Sequence, residues 1–322
     1  MSIRPVLQLR ADLRGRLREV FDSAGFIEVD TPTLALEVLP EAHIDPVAVA
    51  VDGSGMPRYL QTSPEALMKR LLSAGAGPIY QFARSFRAGE RGPQHDVEFV
   101  LLEWYAPGTT LDDAAALLEQ LCATAVGTAG IERRSCSEAF ATYTRVDPLT
   151  ASLDDLAHAG RAAGLRLPES YHARPANEHD RQALWDRWFE ALLADVVQPK
   201  LGHGRPTMLE GWPASQAAFA RLDDDDPRVA RRFELFIAGV ELANGWEEET
   251  SRDVLAARID TANRIRSADG RSLLPIPHRL LAAHGEQMPA GVGAALGFDR
   301  LLMLAAGAES IDSIRPFSSD SA

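Results

Sequence analysis

The chain has 322 residues, a formal net charge of −13, 46% hydrophobic residues and 25% charged residues. These are ordinary values for a globular protein, and the length leaves room for one large domain with a substantial core. The negative charge argues against a broad nucleic-acid surface, because phosphate binding depends on Lys and Arg side chains, but it is compatible with a local basic site.

The cysteines and the N-terminus narrow the class of protein further. The two cysteines, Cys122 and Cys136, have no metal-type spacing, so neither a disulfide framework nor a zinc site is predicted. The N-terminus has no apolar signal core, and no run of about 18 apolar residues occurs. We therefore expect a soluble, cytoplasmic protein without membrane association.

The N-terminal segment combines a helix, a strand and a proline. Leu13, Leu17 and Phe21 recur at helical spacing, Gly25 predicts the end of that helix, and residues 26–30 predict a short strand. This order is compatible with a dimer edge and equally with a helix that packs only on its own sheet. The pattern leaves both interpretations open.

The next segment predicts a hairpin followed by a helix. Residues 47–51 and 59–61 would pair around a turn at residues 52–55. The sequence Thr-Ser-Pro-Glu at residues 62–65 then predicts a capped helix start with proline near the first turn. In that position Glu65 is more often an acid that compensates the helix dipole than a ligand.

Residues 79–86 and 97–105 predict two antiparallel strands, since both are rich in apolar, aromatic and β-branched residues. Their connection is longer and more charged than an ordinary hairpin loop of about 2–5 residues, which indicates a functional loop. The period of two places Glu103 and Tyr105 on one face of the second strand. Because a carboxylate inside an apolar strand is costly without a partner, the neighbouring Arg87 indicates a site that holds an anion and a cation side by side.

The middle of the chain predicts helices and core rather than chemistry. Residues 110–126 and 183–197 have amphipathic helical patterns, and residues 153–164 have a weaker one. We interpret the tryptophans of the second helix as core. The four aspartates at residues 223–226 predict a solvated turn, because consecutive aspartates cannot all face one ion.

A third group of strands carries unusual polar residues. Residues 233–237 and 240–246 predict strands around an Ala-Gly turn, and the second contains Glu241 and Asn244. Gly245 permits close approach of a ligand to the backbone, and three glutamates follow directly after the strand. Surplus carboxylates suit an amine or a divalent cation, and Mg²⁺ prefers one or two carboxylates together with substrate phosphates.

Residues 291–297 are almost without side chains and predict a strand, followed by a helix that begins near Asp299 and Arg300. Small residues leave room for a flat ligand, and a helix N-terminus favours anions. The spacing of a GxGxxG motif is not met, and strand packing alone is a second explanation of the glycines. Arg300 favours the anion site, because an arginine in the first helical turn opposes the helix dipole.

These stretches resemble motifs 2 and 3 and the intervening acidic strand of the class II aminoacyl-tRNA synthetases, and residues 25–32 resemble motif 1. More narrowly, the chain is similar to the elongation factor P–(R)-β-lysine ligases, a family of truncated lysyl-tRNA synthetase paralogues, in the segments TSPEALMKRLLSAGAGPIYQFARSFR, PASQAAFA, FELFIAGVELANG and GAALGFDRLLMLAAGAES. The likeness covers nearly the whole chain, and motifs this long in this order are highly specific. It implies an α+β class II catalytic domain, an antiparallel sheet flanked by helices, as a single domain over residues 1–322 without an anticodon-binding domain.

The resemblance also implies a role for each matching residue. Arg87 would hold the α-phosphate of ATP, Arg300 the terminal phosphates, and Glu241 both the nucleotide and Mg²⁺; these three are the implied catalytic residues. Ala295 stands where lysyl-tRNA synthetases commonly have glycine, as it does in the β-lysine ligases. The implied ATP-binding residues are Arg87, Ala88, Gly89, His95, Asp96, Glu241, Leu242, Gly297 and Arg300. The implied substrate-binding residues are Ser63, Pro64, Glu65, Glu103, Tyr105, Asn244, Glu248 and Ala295.

Two positions depart from the family pattern. The acid expected two residues after Arg87 is Gly89, which weakens recognition of the adenine amino group unless Glu90 or a backbone carbonyl replaces it. Asp96 and Val97 stand where an Asn-Pro pair is usual, and this change would alter the affinity for ATP. Neither departure removes the phosphate-binding arginines or the amine-binding acids.

The activity that the resemblance implies is an ATP- and Mg²⁺-dependent ligation by a homodimer. (R)-β-Lysine, or lysine, would be activated as an acyl-adenylate and transferred to a lysine ε-amine of elongation factor P, with no tRNA partner. Two alternatives are an enzyme that charges tRNA or a small acceptor, and a non-catalytic regulator that binds an amino acid or a partner synthetase. The acidic charge and the absent anticodon domain count against the first, and the retained Arg87, Glu241 and Arg300 count against the second.

Overall fold

The structure, a computed structural model, describes residues 3–51, 53, 57–285 and 287–322. It divides into two compact units, one formed by Met1–Gly127 with Glu247–Ala322 and the other by Thr128–Trp246. That the whole chain behaves as one domain stays a prediction. No helix among the described residues is long and apolar enough to cross a membrane.

Helices and strands occur along the whole of the described chain. The helices are α1 (Ile3–Ser23), α2 (Glu65–Ser73), α3 (Leu111–Val126), α4 (Cys136–Thr144), α5 (Leu153–Ala162), α6 (Glu178–Leu192), α7 (Arg252–Ala268), α8 (His278–Ala283) and α9 (Phe298–Ala305). The strands are β1 (Ile27–Glu28), β2 (Leu34–Ala35), β3 (Val47–Val49), β4 (Arg58–Leu60), β5 (Ile79–Phe86), β6 (Glu98–Pro107), β7 (Glu132–Ser135), β8 (Thr207–Pro213), β9 (Val229–Ile237), β10 (Val240–Glu247) and β11 (Gly291–Gly297).

The main sheet of the first unit has the strand order β1-β5-β6-β11. Strand β1 runs parallel to β5, and β6 is antiparallel to both of its neighbours, β5 and β11. The predicted hairpin of β5 and β6 and the predicted strand β11 are therefore confirmed. Glu103 lies opposite Ala295, and Tyr105 lies opposite Gly293. Because opposite residues share a face of the sheet, these side chains of β6 face the same side as the small residues of β11.

Helix α1 packs on this sheet through one face. Leu13, Leu17 and Phe21 are fully buried, and the Phe21 ring stacks on Tyr80 of β5 with 4.5 Å between the ring centroids. An arginine of α1 also contacts the sheet, since the guanidinium carbon of Arg14 lies 4.6 Å from the ring centroid of Phe82 in β5. That α1 packs on its own sheet is confirmed, and the dimer edge stays a prediction.

The hairpin predicted after β2 is confirmed by the antiparallel pairing of β3 with β4, and the three strands form a small sheet of order β2-β4-β3. Of the predicted turn, residues 52, 54 and 55 lie outside the described residues. The predicted capping box of α2 is not formed, because its N-cap residue is Pro64, whose side chain makes no capping hydrogen bond; the Ser63 hydroxyl oxygen accepts from the amide of Glu65, the first helical residue, instead. The Glu65 carboxylate, which a capping box would use, accepts instead from Lys69.

The second unit has the strand order β10-β9-β8-β7, with β7 parallel to β8 and the remaining pairs antiparallel. The predicted strands at β9 and β10 are confirmed, although β9 begins earlier than predicted. Strand β7 and helix α4 were missed. The Asp223 carboxylate accepts from the amides of Asp225 and Asp226 (3.0 and 3.1 Å), which confirms the predicted turn.

Aromatic side chains pack against one another in the core of the second unit. Trp188 and Phe189 of α6 pack with Phe140 of α4 and Trp212 of β8. The Phe140 and Phe189 rings are stacked with 4.7 Å between centroids. The interpretation of the α6 tryptophans as core residues is therefore confirmed.

Candidate amine and phosphate site

Glu103 and Tyr105, the two substrate-binding residues predicted on β6, are buried next to each other. Glu103 and Tyr105 are 1% and 3% exposed, and the Tyr105 hydroxyl donates to Glu103 Oε1 at 2.7 Å. Glu103 Oε2 is buried and has no hydrogen-bond partner among the described residues. Because an unpartnered buried carboxylate oxygen is costly, this oxygen is suited to accept a hydrogen bond from the ammonium group of a ligand.

Lys69 links two further predicted ligands of the first unit. Its ammonium nitrogen lies 2.7 Å from Glu65 Oε1 and 2.7 Å from Glu248 Oε2, and its side chain is 1% exposed. Glu65 and Lys69 lie one helical turn apart on α2, which brings their side chains together. The Glu248 amide donates to the carbonyl of Gly291 (2.9 Å), and this bond holds Glu248 at the start of β11.

The cluster contains more acids than bases. Glu65, Glu103 and Glu248 interact with the single cation Lys69, so full ionisation gives a net charge of −2 (−3 + 1). Burial, followed by the charge of Glu65, raises the pKa of Glu103 well above its ordinary value. Burial lowers the pKa of Lys69, but the Glu248 and Glu65 charges outweigh it, so the pKa rises and the ammonium stays charged. Two surplus negative charges suit a ligand with two ammonium groups.

Strand β11 supplies space instead of side chains. A Cβ atom at Gly293 would collide with Glu248 Oε1 and with the ring of Tyr105. Ala295 is half-buried opposite Glu103. The absence of a side chain at Gly293 lets the Tyr105 ring and the Glu248 carboxylate pack directly against the backbone of β11.

The segment before α2 contributes to the same region. Ser63 and Pro64 directly precede Glu65, and Ser63 Oγ accepts from the Glu65 amide (3.3 Å).

Burial raises the pKa of Glu41 to about 7, the Arg87 charge lowers it, and the Glu65 charge raises it. Glu41 therefore lies within electrostatic range of both the amine cluster and the loop that begins at Arg87.

Arg87 begins the loop between β5 and β6. Its amide donates to the Val97 carbonyl (2.9 Å), and its guanidinium carbon lies 5.1 Å from the Phe99 ring centroid. Its ion pair with Glu90 is long, 3.9 Å, and its Nε is buried without a hydrogen-bond partner among the described residues. A guanidinium that is fixed by an aromatic ring but weakly paired is suited to bind phosphate oxygens.

Arg300, in the first turn of α9, reaches the same loop. Its Nε donates to the Gln94 carbonyl at 3.2 Å, and its Nη2 contacts His95 Nε2. The structure therefore brings together Arg300 and His95, two of the predicted ATP-binding residues, and places Arg300 against the loop that Arg87 begins.

The start of α9 is fixed by Asp299. Its carboxylate accepts from Arg10 Nη1 of α1 (2.7 Å) and from the amide of Val100 of β6 (2.8 Å). Gly297, the N-cap residue of α9, is half-buried. These bonds hold the first turn of α9, and with it Arg300, against the sheet.

Three further predicted ATP ligands lie in the loop. The Ala88 amide donates to the Asp45 carbonyl (2.7 Å), and Gly89 has φ +78°, a left-handed conformation that favours glycine. Both carboxylate oxygens of Asp96 accept hydrogen bonds, one from the Arg315 side chain (2.7 Å) and one from the following amide (2.8 Å). Their roles toward ATP stay predictions.

The remaining predicted ligands belong to the second unit. Glu241 and Leu242 lie at a register shift between β10 and β9, a bulge of the kind that is common next to active sites. Asn244 Oδ1 accepts from Arg232 Nε at 3.2 Å. Among the described residues no group of three or more His, Cys, Asp or Glu side chains is placed to hold a metal. Mg²⁺ bound mainly through phosphates needs only one or two carboxylates, and Glu241 offers one, so its role as a metal ligand stays a prediction.

Lys69 and Glu41 were not predicted as site residues. Lys69 had a visible signal, because it follows Glu65 by one helical turn and is one of only two lysines in the chain. Glu41 had none, since it lies in an irregular segment and reaches the site only through the tertiary fold.

Comparison with known proteins adds independent information. Residues 1–321 match the family model of the class II tRNA synthetases (D, K and N). The chain is 40% identical over 324 residues to the "Elongation factor P--(R)-beta-lysine ligase" of Edwardsiella ictaluri (strain 93-146). This match covers 99% of this chain and 97% of that protein. It is 38% identical over 322 residues to proteins of the same name from Enterobacter sp. (strain 638) and Salmonella paratyphi B, with 99% of this chain and 96% of each relative covered. The similarity is thus not confined to the motifs.

Proposed function

Because this chain belongs to the class II tRNA synthetases of the D, K and N group, and within them to the elongation factor P–(R)-β-lysine ligases, we propose that it activates (R)-β-lysine with ATP and transfers it to elongation factor P. The chain is an amino-acid ligase with an α+β fold. The observation that carries the substrate proposal is the buried cluster of three acids around the single ammonium group of Lys69, which when fully ionised has a surplus of two negative charges (−3 + 1) and so suits a diamino acid.

In the proposed complex the acids bind the two ammonium groups of the substrate. Glu103 Oε2 accepts from one ammonium group, while the Tyr105 hydroxyl keeps the other oxygen of the same carboxylate in place. Glu65 and Glu248 remain held by Lys69 and offer their remaining lone pairs to the second group. Asn244 would lie near the substrate carboxylate.

The first proposed step is formation of the acyl-adenylate. A carboxylate oxygen of the amino acid attacks the α-phosphorus of ATP, the bond from that phosphorus to the oxygen bridging the β-phosphate breaks, and pyrophosphate leaves. No general base is needed, because the carboxylate is already ionised. Arg87 would neutralise the α-phosphate and Arg300 the terminal phosphates, so positioning and charge carry the rate. Bound Mg²⁺, with Glu241 as a ligand, would add charge neutralisation at the phosphates.

The second proposed step is transfer to the protein acceptor. A neutral lysine ε-amine of elongation factor P attacks the carbonyl carbon of the mixed anhydride, the carbon–oxygen bond to the phosphate breaks, and AMP leaves. The attacking amine loses its proton to a nearby carboxylate or phosphate oxygen. The product is an amide on the acceptor lysine.

We further propose a cytoplasmic homodimer without a tRNA substrate. The proposed dimer edge is the motif 1 region, α1 with β1, where Leu7 and Ile27 are 45% and 60% exposed. Exposed apolar side chains of this kind are suited to a contact between two copies.

Pyrophosphate exchange tests the proposal. We expect ATP-dependent exchange with (R)-β-lysine or lysine, and a loss of exchange of about 100-fold or more in Glu103→Gln, because the variant removes one buried charge from the amine site. Labelled amino acid should then be offered elongation factor P and bulk tRNA in one reaction. Labelling of elongation factor P alone supports the proposal, labelling of tRNA favours the tRNA-charging alternative, and no exchange with any amino acid favours the non-catalytic regulator.

A further inference from the structure

The C-terminal residues 310–322, here called the C-terminal segment, bind the loop of residues 87–96 at several points. The Ile311 amide donates to the Pro93 carbonyl at 2.9 Å. Arg91 forms two ion pairs with the segment, to Asp312 and to Asp320, each at 2.8 Å. The segment thus contacts the loop through backbone and through charged side chains.

The strongest contact involves Asp96, whose side chain is fully buried. Its Oδ2 accepts from Arg315 Nη1 (2.7 Å) and from the Ser319 amide (3.0 Å). Its Oδ1 accepts from the Ser319 hydroxyl and from the Val97 amide (2.8 Å). Of these four donors only Val97 belongs to the hairpin, so the C-terminal segment supplies most of the compensation that a buried carboxylate requires.

Asp96 lies in the sequence between two residues that contact the proposed phosphate-binding arginines, His95 and Val97. On one side, Arg300 contacts His95 directly. On the other side, the amide of Arg87 donates to the Val97 carbonyl at 2.9 Å. A displacement of Asp96 would therefore move the side-chain partner of the Arg300 guanidinium group and the backbone partner of the Arg87 amide.

Arg315 also fixes the strand that follows the loop. Its Nη2 donates to the Glu98 carbonyl at 2.9 Å, while its Nη1 binds Asp96. One guanidinium group therefore joins the end of the loop to the first residue of β6, and its planar geometry restricts the angle between them.

We propose that the C-terminal segment is a positioning element for ATP, in which Arg315 and Ser319 act through Asp96 to hold the loop in its nucleotide-binding conformation. The proposal rests on the proposed ATP-dependent function. It assigns a role to Asp96 that needs no direct contact with the nucleotide. Its energetic basis is that a loop fixed before binding loses less conformational freedom when ATP arrives.

The variant Arg315→Ala tests the proposal with two separate measurements. In the protein without nucleotide, hydrogen exchange of the amides between Arg91 and Val97 should become faster by about tenfold or more, because Asp96 loses the 2.7 Å ion pair to Arg315 and retains only the 4.0 Å ion pair to Arg91. In pyrophosphate exchange, KM for ATP should rise by about tenfold, while KM for the amino acid and kcat at saturating ATP change by less than about twofold.

Two further variants distinguish positioning from general damage. Arg315→Lys retains a cation for Asp96 and should recover part of the exchange protection. The double variant Asp96→Asn with Arg315→Ala removes both charges. Its loop amides should therefore exchange more slowly than those of Arg315→Ala alone. Phe317→Ser is the matched control in the same segment, because Phe317 is 63% exposed and its side chain should affect neither measurement.

The outcomes separate this proposal from the proposed function. Wild-type protein without any ATP-dependent exchange would overturn the proposed function, and the hydrogen-exchange arm would still report whether the segment holds the loop. Unchanged loop exchange in Arg315→Ala overturns the positioning role. Faster loop exchange with unchanged KM for ATP also overturns it, because the contact would then be structural only.

Discussion

The ammonium nitrogen of Lys69 lies 2.7 Å from Oε2 of Glu248, and the two side chains are only 1% and 3% exposed. The same nitrogen lies 2.7 Å from Glu65 Oε1, so one buried cation binds two buried acids. Lysine is rare in this chain, which has only one other, Lys200, among 33 Lys and Arg residues. A compact ammonium group with three rotatable donors fits between two carboxylates where a planar guanidinium would not. Lys69 therefore fixes the acids and leaves part of each carboxylate for a substrate.

Replacing Lys69 by methionine is expected to destabilise the protein by about 3–5 kcal/mol, because two buried carboxylates lose their shared partner. Urea unfolding at neutral pH measures the change. Lys200→Met, at an exposed position, is the matched control and should change the free energy of unfolding by no more than about 0.5 kcal/mol. Equal stability of the Lys69→Met and wild-type proteins would contradict the charged cluster described above.

Binding of a diamino acid is expected to release protons. Burial raises the pKa of Glu41 to about 7, so near neutral pH the free protein holds a proton on part of this carboxyl group, and burial also raises the pKa of Glu103 well above its ordinary value. A bound ammonium group favours the ionised carboxylate and lowers both pKa values. The free protein then binds more protons than the complex does, so affinity should rise as pH increases from about 6 to 8.

Calorimetry in two buffers of different ionisation enthalpy counts the released protons. At about pH 6.5 we expect a release of about half a proton or more per amino acid bound, and a smaller release in Glu41→Gln. Glu309→Gln, at an exposed position, should leave the count unchanged. Proton uptake instead of release would be inconsistent with protonated acids in the free site.

Much of the first unit could be predicted from local sequence patterns. Alternating apolar residues define β5 and β6, and the same alternation places Glu103 and Tyr105 on one face. The run of glycine and alanine before a helix start predicted β11, which the structure places at Gly291–Gly297. Such patterns depend only on residues that are close together in the sequence, so they can be recognised before the structure is known.

The parts that were missed depend on distant contacts or on weak local signals. Strand β7 has the sequence Glu-Arg-Arg-Ser at the edge of its sheet and shows no apolar alternation. The bond between Asp96 and Arg315 joins residues 219 positions apart in the chain. Asp96 was predicted as a nucleotide ligand from its position in a motif, and no local pattern could show that its carboxylate binds the C-terminal segment.

Replacing Tyr105 by phenylalanine is expected to weaken amino-acid binding selectively. The change removes the hydroxyl that donates to Glu103 Oε1, and a hydrogen bond to a charged group is worth about 1.5–3 kcal/mol, so KM for the amino acid should rise about tenfold or more. KM for ATP should change little, because the variant leaves Arg87 and Arg300 intact. Pyrophosphate exchange measures both constants.

Tyr80→Phe is the matched control for that variant. Tyr80 is also fully buried, but its hydroxyl donates to Asp22 (3.1 Å) on α1 and not to the amine cluster. It should lower stability without changing KM for the amino acid. If both variants raise that KM equally, the Tyr105 hydroxyl has no specific role in the site.

Replacing Gly293 by alanine is expected to damage the amine site through crowding. The added Cβ would collide with Glu248 Oε1 and with the rigid ring of Tyr105. Glu248 cannot move freely, because its other carboxylate oxygen, Oε2, is paired with Lys69. Overpacking of this kind costs about 1–3 kcal/mol, and KM for the amino acid should rise by about tenfold or more while KM for ATP stays within about twofold. Gly15→Ala is the matched control, because no atom lies within 4 Å of the added Cβ and alanine favours the helix at that position. The expectation fails if Gly293→Ala binds the amino acid as tightly as the wild-type protein, since β11 would then not border the site.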